Sequence, residues 1–192
     1  GPSDFEFAVY HWDGSGDAVL ALNGLDDANG TGHDIPPVTL CSSCHKSDWR
    51  VLGFSAIQLT HGGPGATMAS LSSSGALTTP LPDGVVIPGT QIESDALGYL
   101  HANCGNCHYD GGVSNVPMHL RVLQSHTTVL TTDTYLTAVG ISALNYNCAG
   151  GPCELLATGF GANNAANSAV IERMVQSTMP PFASEIPDTS GV

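Results

Sequence analysis

The chain runs to 192 residues and sets four Lys and Arg against seventeen Asp and Glu, a formal charge of −13. A surface so short of cations excludes nucleic acid and anionic membranes as partners, because both are held through Lys and Arg; no apolar run is long enough to span a bilayer. With 23 Gly and 12 Pro, the composition predicts long ordered loops in one domain or two small lobes.

Gly1-Pro2 reads as a protease scar and is left out of the fold. Phe5, Phe7 and Val9 alternate with Glu6, Ala8 and Tyr10 as a half-buried strand does. Asp13-Gly14 offers a turn, and residues 17–22 return as a second strand. A chain that opens in a strand points to upstream sequence that has been removed. Residues 23–32 are a polar, Gly-rich loop; Asp26, Asp27, Asn29 and nearby Asp34 lack calcium-loop spacing and read as turn residues. Residues 1–33 are therefore taken as an N-terminal β-hairpin and linker, the remnant of an upstream domain.

Pro36-Pro37 leads into Cys41-Ser42-Ser43-Cys44-His45, and the same pattern recurs as Cys104-Gly105-Asn106-Cys107-His108. Cys-x-x-Cys-His is the signal for covalent attachment of a c-type haem. Two thiols three apart can add to the two vinyl groups of one porphyrin, and the next residue places an imidazole beneath the ring to bind iron. A dithiol redox pair would want a preceding strand in a βαβ unit. A zinc site built from both pairs is chemically sound but gives no reason for a His directly after each second Cys. Two haem c groups are expected, on Cys41, Cys44, Cys104 and Cys107, with His45 and His108 as iron ligands. Haem also supplies the apolar centre that a loop-rich chain does not easily build, so folding is expected to be coupled to attachment.

Between the motifs, Trp49, Val51, Leu52, Phe54, Ile57 and Leu59 suggest short helical pieces over 48–59. Gly62 to Gly65 breaks the chain, a short helix runs from Ala66 or Thr67 through Leu71, and 77–88 is proline-interrupted loop. Residues 93–108 form the clearest helix, with Ala96, Leu97, Leu100 and Cys104 on one face and Asp95 near its positive end. Gly111-Gly112 ends it. Met118, Leu120 and Val122 alternate in a strand-like way, 129–135 is a Thr-rich extended stretch, and 168–176 is a second helix. Cys148 and Cys153 are expected to close a short disulfide loop, with free thiols as the alternative; a disulfide fits the oxidising compartment where c-type haems are attached. No signal peptide precedes the chain, so the precursor has lost one or the sequence is part of a longer protein.

Met179-Pro180-Pro181 follows the last helix, and the prolines hold the backbone extended so that a loop presents the thioether. Met179 is expected opposite His108 on the second iron. Opposite His45 the first choice is His61, which ends an apolar run before a Gly-rich turn; Met68, His33, Met118 and an open site stand as alternatives. His11, His101, His119 and His126 read as surface or hydrogen-bonding residues, His101 as a partner for a propionate.

The runs Leu52-Gly53-Phe54-Ser55-Ala56-Ile57-Gln58-Leu59 and Tyr99-Leu100-His101-Ala102-Asn103, Gly111-Gly112 with Met118-His119-Leu120-Arg121, and Arg173-Met174 with Met179-Pro180-Pro181 carry a family likeness. Over residues 34–188 the chain resembles bacterial dihaem c-type cytochrome modules of large secreted or cell-surface proteins. The resemblance implies a mainly α, cytochrome c-like haem-wrapping fold with long loops, the second haem of class I cytochrome c character. The dihaem domain is then 34–192, with a haem 1 lobe at about 34–90 and a haem 2 lobe at about 91–192. Such modules continue into a final helix with a tryptophan; this sequence stops at Val192 without one, which implies truncation or a different C-terminal packing.

The function implied is electron transfer through two irons cycling between ferrous and ferric, with no chemical substrate. A His/Met haem 2 would lie above a His/His haem 1 in potential, so electrons would run downhill from the first to the second. The partner would be a redox protein or fused redox domain, in the periplasm, secreted, or on the outer surface of a bacterium. Two other classes compete. A dihaem cytochrome c peroxidase-like enzyme would need an open distal site at haem 1 and a nearby acid–base group. A haem-based sensor or binding module would bind gas without turnover.

Overall fold

The structure, a computed structural model, describes residues 6–45, 51–79, 84–112, 114–159, 162–181 and 185–189. Phe5 of the expected first strand, Trp49 of the expected helical pieces and residues 80–83 of the proline-interrupted loop lie outside the described residues. The chain divides into two units, residues 1–46 with 142–192, and residues 47–141. Each unit contains one Cys-x-x-Cys-His motif.

In the first unit, β1 (Tyr10–Trp12) pairs antiparallel with β2 (Ala18–Leu20), Tyr10 opposite Leu20. Asp13 makes the turn, its carboxylate accepting the N–H groups of Ser15 at 2.8 Å and Asp17 at 2.9 Å. Those bonds hold the Asp13 carboxyl below its usual range. The hairpin is where the sequence puts it, but β1 begins at Tyr10 and residues 6–9 lie outside it. Leu25 then bridges Ile35. At Gly24, φ is +79° and a Cβ would lie 2.5 Å from the Ile35 carbonyl, so only glycine fits that closure. The chain leaves Pro37 through one 3-10 turn into α1 (Cys41–Cys44).

A second antiparallel hairpin, β3 (Ser142–Cys148) and β4 (Gly151–Glu154), sets Cys148 opposite Gly151 around Ala149-Gly150. Cys148 and Cys153 stand at disulfide distance across it, Cα atoms 5.7 Å apart. Both are buried against Ala169, with Ala143 and Tyr146 packed at the side. After α6 (Ala162–Ala165), the Ser168 hydroxyl donates to Asn164 O and accepts the Ala157 N–H, anchoring the start of α7 (Ala169–Val175).

In the second unit, α2 (Ala56–Leu59), α3 (Met68–Ser73) and α4 (Gln91–Asn103) each begin with a reciprocal capping box, from Ser55, Thr67 and Thr90. The apolar core is Ile57, Val85, Leu97 and Val122, flanked by Ala56, Ile87 and Val129. Met118, Leu120 and Val122 are buried, but no strand forms there and Arg121 is buried as well. The Thr-rich stretch is not extended: it forms a 3-10 turn at Val129–Thr131 and α5 (Asp133–Ala138), capped by Thr132. With helices and two small hairpins, the described residues form a mixed fold of helix and strand. Among the described residues no helix is long and apolar enough to cross a membrane.

Candidate functional site

The two motifs fold in the same local way. In the first, α1 is a single turn closed by the His45 N–H donating to Cys41 O at 3.0 Å. In the second, α4 ends at Asn103, and the turn that follows is closed by the His108 N–H donating to Cys104 O at 2.9 Å. Each turn thus carries two thiols and an imidazole within five consecutive residues. That is the donor set one c-type haem requires: two thiols for its vinyl groups and one nitrogen for its iron. All four cysteines are half-buried.

Around the first motif, the Phe7 ring lies 5.8 Å from the His45 ring at a tilt of 52°. Phe7 was expected on the inner face of a strand; it faces the candidate iron ligand instead. Around the second, Leu120 N–H donates to His108 O at 2.8 Å. Gly105 fits because a Cβ would lie 2.6 Å from His101 O and 3.2 Å from Leu120 O. Gly112 fits because a Cβ would meet the Cys107 carbonyl. Burial pushes the Cys104 thiol up to about 11, so at neutral pH it is held as the neutral thiol. Among the described residues no group of three or more His, Cys, Asp or Glu gathers as a metal-ligand set; a haem asks only for axial side chains.

His101 does not turn outward as a propionate partner. It is 5 % exposed, and both ring nitrogens are engaged within the unit. Nδ1 accepts the Val122 N–H at 3.0 Å, which leaves Nε2 to carry the proton towards Ser55 Oγ, also at 3.0 Å. Burial first, and the Arg121 charge second, lower its pKa to about 4, so the ring is neutral at neutral pH. One side chain thus ties α4, the cap of α2 and the 118–122 segment together beside the second motif. A cavity of about 190 Å³ opens there, lined by residues 51–58 together with Val85, His101, Asn106, Arg121 and Val122 among others.

No protein-family model, curated protein or solved structure matches the chain. The site therefore rests on its own residues.

His45 and Met179 belong to the first unit; His108, His61, Met68 and Met118 belong to the second. The residues expected on the first iron, His45 and His61, thus fall in different units, as do His108 and Met179 expected on the second. His61 is exposed, and Gly63 N–H donates to its Nδ1 at 3.1 Å, leaving Nε2 as the atom to ligate. Met68 is half-buried, His33 exposed and Met118 buried.

Met179 is half-buried and is placed by the end of α7 rather than by its prolines alone. Ser177 turns left-handed at φ +52°. Its N–H donates to Met174 O, the Thr178 N–H donates to Arg173 O, and Arg173 in turn donates to Thr178 Oγ1 and O. That double closure stops the helix and throws Met179 clear of it. Sequence reasoning missed Arg121, Ser55 and Tyr109 beside the second motif. Arg121 is buried, its Nε donates to Gly105 O at 3.2 Å, and its guanidinium lies 3.9 Å from the Tyr109 ring centroid. The available signal was scarcity: it is one of four Lys and Arg.

Proposed function

We propose that the chain is an electron-transfer module carrying two covalently attached c-type haems, one on each Cys-x-x-Cys-His turn, and working in the periplasm, in the secreted state or on the outer surface of a bacterium. The observation that carries this reading is the recurrence, once in each unit, of two cysteines and a histidine on one turn closed by the same N–H to carbonyl bond. The composition and the run of residues that resemble dihaem cytochrome modules support it from the sequence side.

A haem so held supplies one-electron ferrous–ferric cycling. The protein's part is to hold, orient and shield. Cys41 with Cys44, and Cys104 with Cys107, would fix each ring through two bonds, and His45 and His108 would each give a nitrogen to iron. The closing N–H to carbonyl bonds fix where those imidazoles start, and Phe7 packs beside His45. His61 and Met179 are the proposed further axial ligands. A net charge of −13 favours a basic redox protein, or a basic face on a fused redox domain, by long-range attraction.

The test is carbon monoxide added to the reduced holoprotein. With both irons six-coordinate, the visible spectrum stays unchanged, and His61→Ala and Met179→Ala each open one haem to the gas. Carbon monoxide binding at one haem of the unmutated protein would displace the electron-carrier reading in favour of a peroxidase-like enzyme or a sensor.

A further inference from the structure

Exposure alternates along the segment that leads into the first hairpin. Phe7, Val9 and His11 are half-buried, whereas Glu6, Ala8, Tyr10 and Trp12 are exposed. The inward Phe7 ring packs beside His45, so the outward side chains belong to a segment whose other side touches the first motif. Within the hairpin, Tyr10 stands opposite Leu20 and Trp12 opposite Ala18, and residues so opposed share a face. Tyr10 is 57 % exposed, Trp12 67 % and Leu20 52 %. Trp and Tyr are among the residues that most often anchor a protein interface, and here both are left to water. Carboxylates stand at both ends of this face. Glu6 precedes Tyr10 on the outward side, and Asp17 is exposed at the turn beyond Trp12. Asp26, Asp27 and Asp34 follow in the same unit, and no Lys or Arg occurs between positions 6 and 45. The complement of such a face is an apolar patch ringed by Lys and Arg. A second copy of the chain does not fit it, because two chains of charge −13 bring acid against acid. Three large apolar side chains also fall well short of the roughly 20–30 residues a side of a stable interface. A face this small suits the brief encounters of electron-transfer proteins, which bury less than about 1,200 Å².

We propose that Tyr10, Trp12 and Leu20, between the carboxylates of Glu6 and Asp17, form the docking surface for a basic redox protein that exchanges electrons with the haem on Cys41 and Cys44. The inference rests on the two-haem reading and gives its partner a place. Phe7 and Tyr10 are three residues apart, at most about 11 Å along the chain. A protein seated on the hairpin is therefore brought to the side of the unit that holds the first motif. In each encounter one iron goes from ferrous to ferric and the other from ferric to ferrous. One electron moves, no bond is made or broken, and no proton is transferred.

The probe is a mitochondrial cytochrome c, a lysine-rich protein whose exposed haem edge is ringed by those lysines. It is titrated, with both proteins reduced and at low ionic strength, into the isotope-labelled holoprotein, and amide shifts are followed by NMR. The shifts are expected in residues 6–20. Trp12→Ala and Tyr10→Ala each weaken binding by roughly tenfold, and Trp12→Phe restores most of the loss. Glu6→Gln combined with Asp17→Asn weakens binding and flattens its dependence on salt. The absence of binding, or shifts confined to other residues, overturns the assignment. So does binding by Trp12→Ala and Tyr10→Ala as tight as that of the unmutated protein, which would leave only unspecific attraction between opposite charges. A dimer in sedimentation equilibrium that Trp12→Ala dissolves gives the face to a second copy and also overturns it. Haem per chain is counted separately as the pyridine haemochrome. Fewer than two haems in the unmutated protein refutes the reading beneath, independently of whether the hairpin binds the probe.

Discussion

His101→Phe tests whether the second unit is tied together as its geometry implies. Phenylalanine keeps a ring of similar size, so the cavity cost of a smaller side chain is largely avoided, while both ring nitrogens are lost. The Val122 N–H, on a residue 2 % exposed, loses the acceptor it holds at 3.0 Å; a buried donor left unsatisfied costs about 1–3 kcal/mol. The Ser55 hydroxyl is half-buried and better able to find water, so its lost bond adds about 0.5–1.5 kcal/mol. The expected loss is about 2–4 kcal/mol, read by urea unfolding of the holoprotein at neutral pH with an unchanged m-value. A loss below about 1 kcal/mol would refute the reasoning.

Acid gives a second reading of the same residue. The folded pKa of His101 is lowered to about 4 from an ordinary 6.5, by burial first and Arg121 second. Between those values the unfolded chain binds the proton and the folded one does not. The unmutated protein therefore loses stability as pH falls through that window, whereas the Phe variant has nothing to protonate there. After allowance for solvent screening, the gap between them narrows by about 1–2 kcal/mol from neutral pH to about pH 4.5. A gap that widens in acid contradicts the assignment.

Gly105→Ala places a Cβ 2.6 Å from the His101 carbonyl and is expected to cost about 1–3 kcal/mol by overpacking, read as a lowered Tm together with incomplete haem loading; an unchanged Tm and full loading contradict the fit. Replacing Cys148 and Cys153 together by Ser opens a loop closed over five positions of sequence separation. About 2 kcal/mol is lost by the loop-entropy relation, and thiol labelling of the denatured unmutated protein finds neither cysteine reactive. Ser177→Gly relieves the positive φ of 52° at the end of α7 and gains about 0.5–1 kcal/mol in urea unfolding; a loss would show that the hydroxyl matters more than the backbone.

Each motif is contained in five consecutive residues and was legible as a pattern; the turn closed by the last N–H onto the first carbonyl was not. α7 was legible within a residue of each end from its apolar stripe. α4 was legible in its middle only. Its start is set by Thr90, three residues before Glu93, and it stops at Asn103, where Leu100 O takes the N–H groups of both Cys104 and Gly105. α5 was hidden by Thr132, Thr134 and Thr137, poor helix formers alone; the Thr132 cap and the burial of Thr134 and Ala138 override that preference. The β3–β4 hairpin was hidden inside what read as a disulfide loop, although Ala149-Gly150 is its turn.

Arg121 was hidden for a different reason. Strand-like alternation with Leu120 and Val122 would turn it outward. Its carbonyl and ring partners lie 16 and 12 positions earlier in the sequence, and they draw it inside. His101 is the same case, tied to Ser55 and Val122 across 46 and 21 positions. Contacts of that range have no local signature in the sequence.

The central claim is two covalent haems on one chain, and intact mass spectrometry of the mature protein under denaturing conditions tests it most directly. Thioether-bound haem survives denaturation, so the account predicts a single species at the mass of the chain plus two haems. A chain at its bare mass, or carrying one haem after full maturation, contradicts it.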